Sequence, residues 1–318
     1  MKKIILIFLI FFSQNHLLCD INVTQEKSFL DDFVPLRDGI VNGYHNFLKK
    51  IDNALCANED LNNTNLEKII YKNNLQIITA FKHNEDETLM PYLYIRGNII
   101  LPKTNKRFEF TIDKQTDSKL LNQNIDKQYD SAIEDEKVHL GFKYNLVKND
   151  YFNFYTKLGA RINKPGDIYG KVGAIKYLNF KSFMIFFDAQ VYKYLLNEKL
   201  IASTSLNFIK PINDSFIFEK DFILTWKKVE KTTELDYIAK LYHTIDKKNS
   251  FEYWLSYTAQ ENEKCYYCPE EYSAHVRYRY MLKKWAYLEL RPQVRKRKEN
   301  HFETEEAITL NFGLIFSK

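Results

Sequence analysis

The chain has 318 residues, 46 Lys+Arg against 41 Asp+Glu for a formal net charge of +5, 15% aromatic residues and only 9 Gly. A mean hydropathy of -0.43 excludes a polytopic helical membrane protein, and so balanced a charge does not announce a nucleic-acid binder. Tyr (22) and Phe (24) far outnumber Trp (3), which favours strands over a helical bundle; one large all-β unit or two ordinary domains both fit this length.

Lys2 and Lys3 precede an unbroken apolar run from Ile4 to Phe12, followed by Ser13-Gln14-Asn15-His16. A positive start and a short apolar core form the pattern of a secretory signal. The run is too short to cross a bilayer as a helix, which takes about 20 apolar residues. Residues 1–19 are therefore expected to be a signal peptide cleaved near Cys19-Asp20, with the mature chain exported. Leu17 and Leu18 stand where a lipoprotein signal wants a small residue.

Residues 20–71 read as a helical periplasmic lead or plug. Phe29, Phe33, Leu36, Ile40, Tyr44, Phe47, Ile51 and Leu55 recur at spacings of three and four, making one apolar stripe. Pro35 suits a first helical turn after Asp31-Asp32. Asn and Asp then dominate a loop from Asn58 to Asn65.

From about residue 72 the period changes to two. Val138, Leu140, Phe142 and Tyr144 alternate with His139, Gly141 and Lys143, and Ile308, Leu310, Phe312 and Leu314 alternate with Thr309, Asn311 and Gly313. Each such segment is a strand with one apolar and one polar face. The spacing predicts fourteen strands, near 73–82, 91–101, 106–113, 136–147, 151–162, 167–177, 182–194, 200–210, 215–226, 234–244, 250–260, 271–282, 285–296 and 304–316. Most are longer than the globular mode of about 5–6 residues and match a tilted membrane-crossing strand. Alternate connections are short turns, such as Lys148-Asn149-Asp150, Pro211-Ile212-Asn213-Asp214 and Lys283-Lys284. The longer ones, residues 114–135, the Cys265/Cys268 loop and Lys296 to Glu303, fall in the other set, as in a membrane barrel. The fold class expected is all-β: a transmembrane antiparallel up-and-down β-barrel of about 14 strands over residues 72–318. A soluble sandwich shares the period with its faces reversed; export, strand length and the aromatic ending Phe312-Gly313-Leu314-Ile315-Phe316 tilt the choice. Lys176 and Lys220 fall on the face assigned to lipid and fit it least well.

Cys265-Tyr-Tyr-Cys268 is expected to be a disulfide pinning a loop in an exported protein. No second Cys pair or His cluster completes a zinc set, so no metal or cofactor is expected. Cys56 is left over.

Segments from Thr79 to Asp113, including Tyr94-Ile95-Arg96-Gly97-Asn98 and Arg107-Phe108-Glu109-Phe110, carry a loose further signal. So do Gly159-Ala160-Arg161-Ile162 to Pro165, Asp214 to Trp226, and Tyr278-Arg279-Tyr280 running into Trp285-Ala286-Tyr287-Leu288-Glu289-Leu290-Arg291-Pro292. Over nearly the whole mature chain these resemble a family of uncharacterised Gram-negative outer-membrane β-barrel proteins. The resemblance implies the fold and an outer-membrane location with the N-terminal region in the periplasm. It implies no activity, and this chain has Lys where family members often have Arg.

With that facing, bases dominate the inward candidates of the first six strands, with Arg96, Arg107, Lys143, Lys157, Arg161 and Lys171 against Glu109 and Asp113. Acids concentrate around the seventh to eleventh strands, as Asp188, Glu219, Asp221 and Glu252, beside Lys240. The last strands bring His275, Arg277, Arg279, Glu289 and Arg291. Opposed charges across a water-filled pore would favour anionic or zwitterionic solutes; paired across a narrow lumen, they would close it. The first reading makes the protein a narrow channel or solute-uptake porin with a mixed-charge, net basic lumen, for small polar solutes. The second makes it a structural or assembly component of the envelope. A hydrolase acting on lipid or peptide is the rival class, with His139, His243 or His275 near Ser256 or Ser273, but no nucleophile motif such as GxSxG appears. Outer-membrane lipid, lipopolysaccharide and the barrel-assembly machinery are the expected partners, with no nucleic acid.

Overall fold

The structure, a computed structural model, describes residues 74–84, 87–100, 107–114, 138–161, 168–195, 200–262 and 265–316, together with scattered positions between 30 and 46. The segment expected to be a signal peptide, Cys56 and most of the expected N-terminal lead lie outside the described residues. Described positions between 34 and 46 are helical, Pro35 among them, with Val41 buried. That segment and the strand region form two separate units, divided at Tyr44.

Fourteen strands follow: β1 (Asn74–Asn84), β2 (Glu87–Ile100), β3 (Phe108–Lys114), β4 (Val138–Lys148), β5 (Phe152–Arg161), β6 (Ile168–Asn179) and β7 (Met184–Tyr194). The second half comprises β8 (Leu200–Pro211), β9 (Phe216–Lys227), β10 (Thr232–Thr244), β11 (Asn249–Asn262), β12 (Cys265–Lys283), β13 (Ala286–Arg297) and β14 (Thr304–Phe316). Each pairs antiparallel with its neighbour in sequence, and β1 closes on β14 from Leu75↔Phe316 to Asn84↔Ala307. Closure removes the free edges that an open sheet exposes.

Side-chain facing decides what this barrel is. Along β9, Glu219, Asp221, Ile223 and Thr225 are buried while Lys220, Phe222 and Trp226 are exposed. The same inversion runs round the barrel: Leu255 is 63% exposed, and Asp221 (0%), Lys240 (1%) and Arg291 (1%) are sealed inside. Water would penalise such an exterior, whereas hydrocarbon suits it, and a closed barrel leaves no backbone group unsatisfied there. This is the membrane-spanning type of β-barrel. Phe216 and Trp226 stand ten residues apart on the outward face of β9; at about 3.3 Å per residue and a tilt of about 40° that is roughly 25 Å of height, the usual apolar band. Near the short turns Phe216, His243, Phe251 and Tyr278 form a run of ring contacts, with neighbouring centroids 4.2–6.3 Å apart. Tyr257, Tyr272 and Phe302 form another toward the opposite end.

Three of the short turns share one device. Asn149 Oδ1 accepts hydrogen bonds from the backbone N–H groups of Tyr151 and Phe152, Asn213 Oδ1 from those of Ser215 and Phe216, and Asp246 Oδ1 from those of Lys248 and Asn249. A side chain that mimics a turn carbonyl explains why Asn or Asp recurs there. At Asp246 these bonds, the one from Lys248 N–H first, hold the carboxyl below the usual carboxylate range.

Two expected connections are corrected. β2 begins at Glu87, so only two residues separate it from β1. The Cys265/Cys268 segment is not a long loop: β12 starts at Cys265, with only two residues between it and the end of β11. Register shifts between Thr258 and Ala259 and between Gln260 and Asn262 accommodate Pro269 opposite Ala259. Bulges tolerate a proline that a regular ladder would not, so Pro269 does not end the strand.

Candidate functional site: the charged lumen

The inward residues of β4–β7 form one wall. Lys143 pairs in register with Lys157, and Lys157 with Lys171, so three ammonium groups lie side by side on adjacent strands. Like charges placed directly opposite repel, and the wall answers with rings and carboxylates. Lys143 Nζ lies 4.5 Å from the centroid of Tyr155, Lys171 Nζ 5.7 Å from the same ring, and Lys157 Nζ 6.0 Å from Tyr169. Cations over aromatic faces gain from the ring quadrupole. At the wall's edge Glu109 accepts from Lys143 (3.4 Å), Lys148 (2.8 Å) and Asn145 Nδ2 (2.8 Å). Asp188 is buried on β7. Tyr169, Tyr192 and Tyr194 meet edge to face, and Tyr155 Oη donates to Gln190 Oε1 at 3.2 Å.

Glycines make room for these rings. A Cβ on Gly173 would come within 2.5 Å of the Tyr155 ring, and one on Gly159 within 2.4 Å of Tyr169. Both are cross-strand register pairs, so each ring lies flat across the strand beside its own. Tyr287 and Gly313 repeat the arrangement between β13 and β14.

The wall built by β11–β14 handles charge differently. Glu289 Oε2 accepts from Arg279 Nε (3.0 Å) and Nη2 (2.7 Å), and Oε1 from Asn311 Nδ2 (2.9 Å). Arg277 is ion-paired with Glu252 and lies 3.9 Å from Glu289. Arg279 also covers the Tyr287 ring at 4.6 Å. Next to it, Lys240 reaches Glu219 (3.2 Å) and Asp221 (3.4 Å) and sits 4.6 Å from the Trp254 centroid, with His275 on the far side of that indole at 4.7 Å. Toward the rim, Glu305 binds Arg295 (3.1 Å) and Arg297 (3.0 Å).

Six strands lie between β5 and β12 in either direction round the barrel, so the two walls face each other. Lys157 and Arg291 are each the sixth residue of a strand rising from a short turn, which places them at comparable depth.

Of the residues singled out in the sequence, Lys143, Lys157, Lys171, Asp188, Glu219, Asp221, Lys240, Glu252, His275, Arg277, Glu289 and Arg291 are inward and buried; Arg279 is inward and partly exposed. Arg107 lies one residue before β3, exposed, and its carbonyl accepts from Asn145 N–H. The side chains of Arg96, Arg161 and His139 lie outside the described residues. His243 faces outward, stacked on Phe216 at 4.2 Å. Ser256 and Ser273 share a 2.6 Å hydrogen bond with each other. Cys268 is disulfide-bonded; the side chain of Cys265 is not among those described. The sequence reading missed the inward aromatics Tyr155, Tyr169, Tyr192, Tyr194 and Trp254. Glycine at polar-face positions such as Gly159, Gly173 and Gly313 is visible in the sequence, but the tyrosine across from each is set by register.

No family model matches the chain, and no curated protein does. Among solved structures it is similar to outer-membrane OmpT of Vibrio cholerae, at 9% identity and a TM-score of 0.49, over 77% of this chain and 97% of that one. It is also similar to the outer-membrane channel DcaP of Acinetobacter baumannii (8%, TM-score 0.49, 77% and 96%) and to the KdgM porin (10%, TM-score 0.36, 75% and 98%). The fold assignment rests on the chain's own closed strand order and reversed facing.

Proposed function

We propose that the protein is a narrow outer-membrane channel for small polar solutes, its mixed-charge lumen basic at mid-depth. The observation that carries this reading is the in-register row Lys143–Lys157–Lys171, set across the lumen from the arginine-bearing strands β12 and β13. Rings of charged side chains select ions by sign, and a basic ring favours anions. The lumen would then pass small anions in preference to cations.

A second reading, a barrel closed by its own ion pairs and serving an envelope-structural or assembly role, is favoured by the burial of Lys240, Glu289 and Arg291, each only 1% exposed. Planar-bilayer recording separates the two. Protein whose folded state is established by heat-modifiable gel mobility should give small discrete conductance steps. Under a salt gradient its reversal potential should indicate anion preference, and K157Q/K171Q should reduce that preference. A folded barrel with no steps would overturn the channel reading and support the closed one.

A further inference from the structure

The outward faces of β6–β9 carry Lys176, Lys193, Lys210 and Lys220 and no carboxylate. The outward faces of the flanking β5 and β10 hold no Lys, Arg, Asp or Glu between their ends. Between β5 and β10, charge on the lipid side is therefore confined to β6–β9. Three of the four lie toward the short turns: Lys210 one residue before the end of β8, Lys176 three before the end of β6, and Lys220 four after the start of β9.

Lysine within hydrocarbon is costly unless its long stem carries the ammonium to the interface. The surroundings fit that path. Lys176 lies in register between Phe152 and Phe187, and Lys220 lies opposite Phe208 with its Nζ 5.6 Å from the Phe218 centroid. Phe208 packs on Phe183, which stacks on Phe180 in the β6–β7 turn. These rings flank the lysines along the ladder. Lys210 pairs with Phe218 and Lys220 with Phe208, so the two lysines are diagonal neighbours, about 7–8 Å apart at the backbone. Two ammonium groups at that spacing repel unless one anion lies between them. A single phosphate diester fits the gap, and at this depth the phosphate available in numbers belongs to a lipid headgroup.

We propose that Lys210 and Lys220, with Lys176 on the same lipid-facing sector two strands away on β6, form a binding surface for an acidic glycerophospholipid in the leaflet at the short-turn side of the barrel. Its phosphate sits between the two diagonal ammonium groups, and its acyl chains lie along Phe187, Leu206 and Phe222, which share one register row with Lys176. The surface is independent of whether the lumen conducts.

The test is lipid binding to the refolded full-length protein in neutral detergent, counted by native mass spectrometry during titration with phosphatidylglycerol or with phosphatidylcholine. Each basic residue near an anionic headgroup is worth about a fivefold gain in affinity. The wild type should therefore bind phosphatidylglycerol about fivefold more tightly or better. That preference should disappear in K176Q/K210Q/K220Q, persist in K176R/K210R/K220R and be unmoved in K193Q/K296Q. If the triple glutamine variant does not fold, K210Q alone, at the strand end, should lower the preference. Equal binding of the two lipids by the wild type, or a preference that survives loss of these lysines, would overturn the proposal. Tighter binding of lipopolysaccharide than of phosphatidylglycerol through the same three residues would overturn the assignment to glycerophospholipid.

Discussion

The two facing walls of the lumen bury charge in opposite ways. On β4–β7 the cations come first: lysines in register, spread over tyrosine rings that lie flat on glycines, with Glu109 and Asp188 at the margins. On β11–β14 arginines close on glutamates, and Glu289 alone accepts from two side chains and faces a third. The first wall depends on ring placement and tolerates loss of one ammonium. The second is a linked network in which each carboxylate neutralises several partners. Removing one member should therefore cost far more there.

Glu289→Gln is the sharpest way to break this contrast. Taking one partner from a buried ion pair costs about 3–5 kcal/mol because the remaining charge stays buried. Urea unfolding in lipid vesicles should show a loss of that order, whereas Lys157→Gln should show a much smaller one. Equal losses would mean that the walls do not differ. Next in size is Gly159→Val or Gly173→Val. Each places a side chain where a tyrosine ring already lies, and overpacking of this kind costs about 1–3 kcal/mol. The matching Tyr169→Ala or Tyr155→Ala should relieve the clash, so a double-mutant cycle would show coupling.

A smaller effect is expected outside the barrel wall's interior. Lys220→Leu should stabilise the barrel in phosphatidylcholine by about 1 kcal/mol, since a charged group off the midplane is only mildly penalised. Smallest is the Asp246 turn. Its carboxyl is held below its ordinary range, so the stabilisation is present above the unfolded carboxylate pKa and is lost as pH falls through the lowered folded value. The protection of the Lys248 and Asn249 amides, relative to their intrinsic exchange rates at each pH, should fall on acidification through that lowered range, and Asp246→Asn should flatten the dependence.

Strand positions were legible because period-two alternation persists wherever one face meets lipid and the other a polar interior; the structure moves most boundaries by only one or two residues. The β11–β12 hairpin was misjudged because Pro269 reads as a strand breaker until its opposite bulge is known. The inward basic and acidic residues could be listed from parity alone. Their division into two walls could not, because it depends on which strands face each other after closure and on register, which brings Lys143, Lys157 and Lys171 into one row. The tyrosine cradles were invisible for the same reason: Gly159 and Tyr169 are ten residues apart and become neighbours only in the ladder.

The reversed facing underlies every other inference, and a nitroxide scan along β8 tests it directly. Single cysteines from Ile201 to Ile209, in a background with the native cysteines replaced, would be labelled in protein reconstituted into lipid vesicles. Labels at Thr204, Leu206 and Phe208 should relax with oxygen dissolved in the acyl region, and those at Ser203, Ser205 and Asn207 should not, giving a strict period of two. The same alternation with its phase inverted, or no alternation at all, would contradict the account.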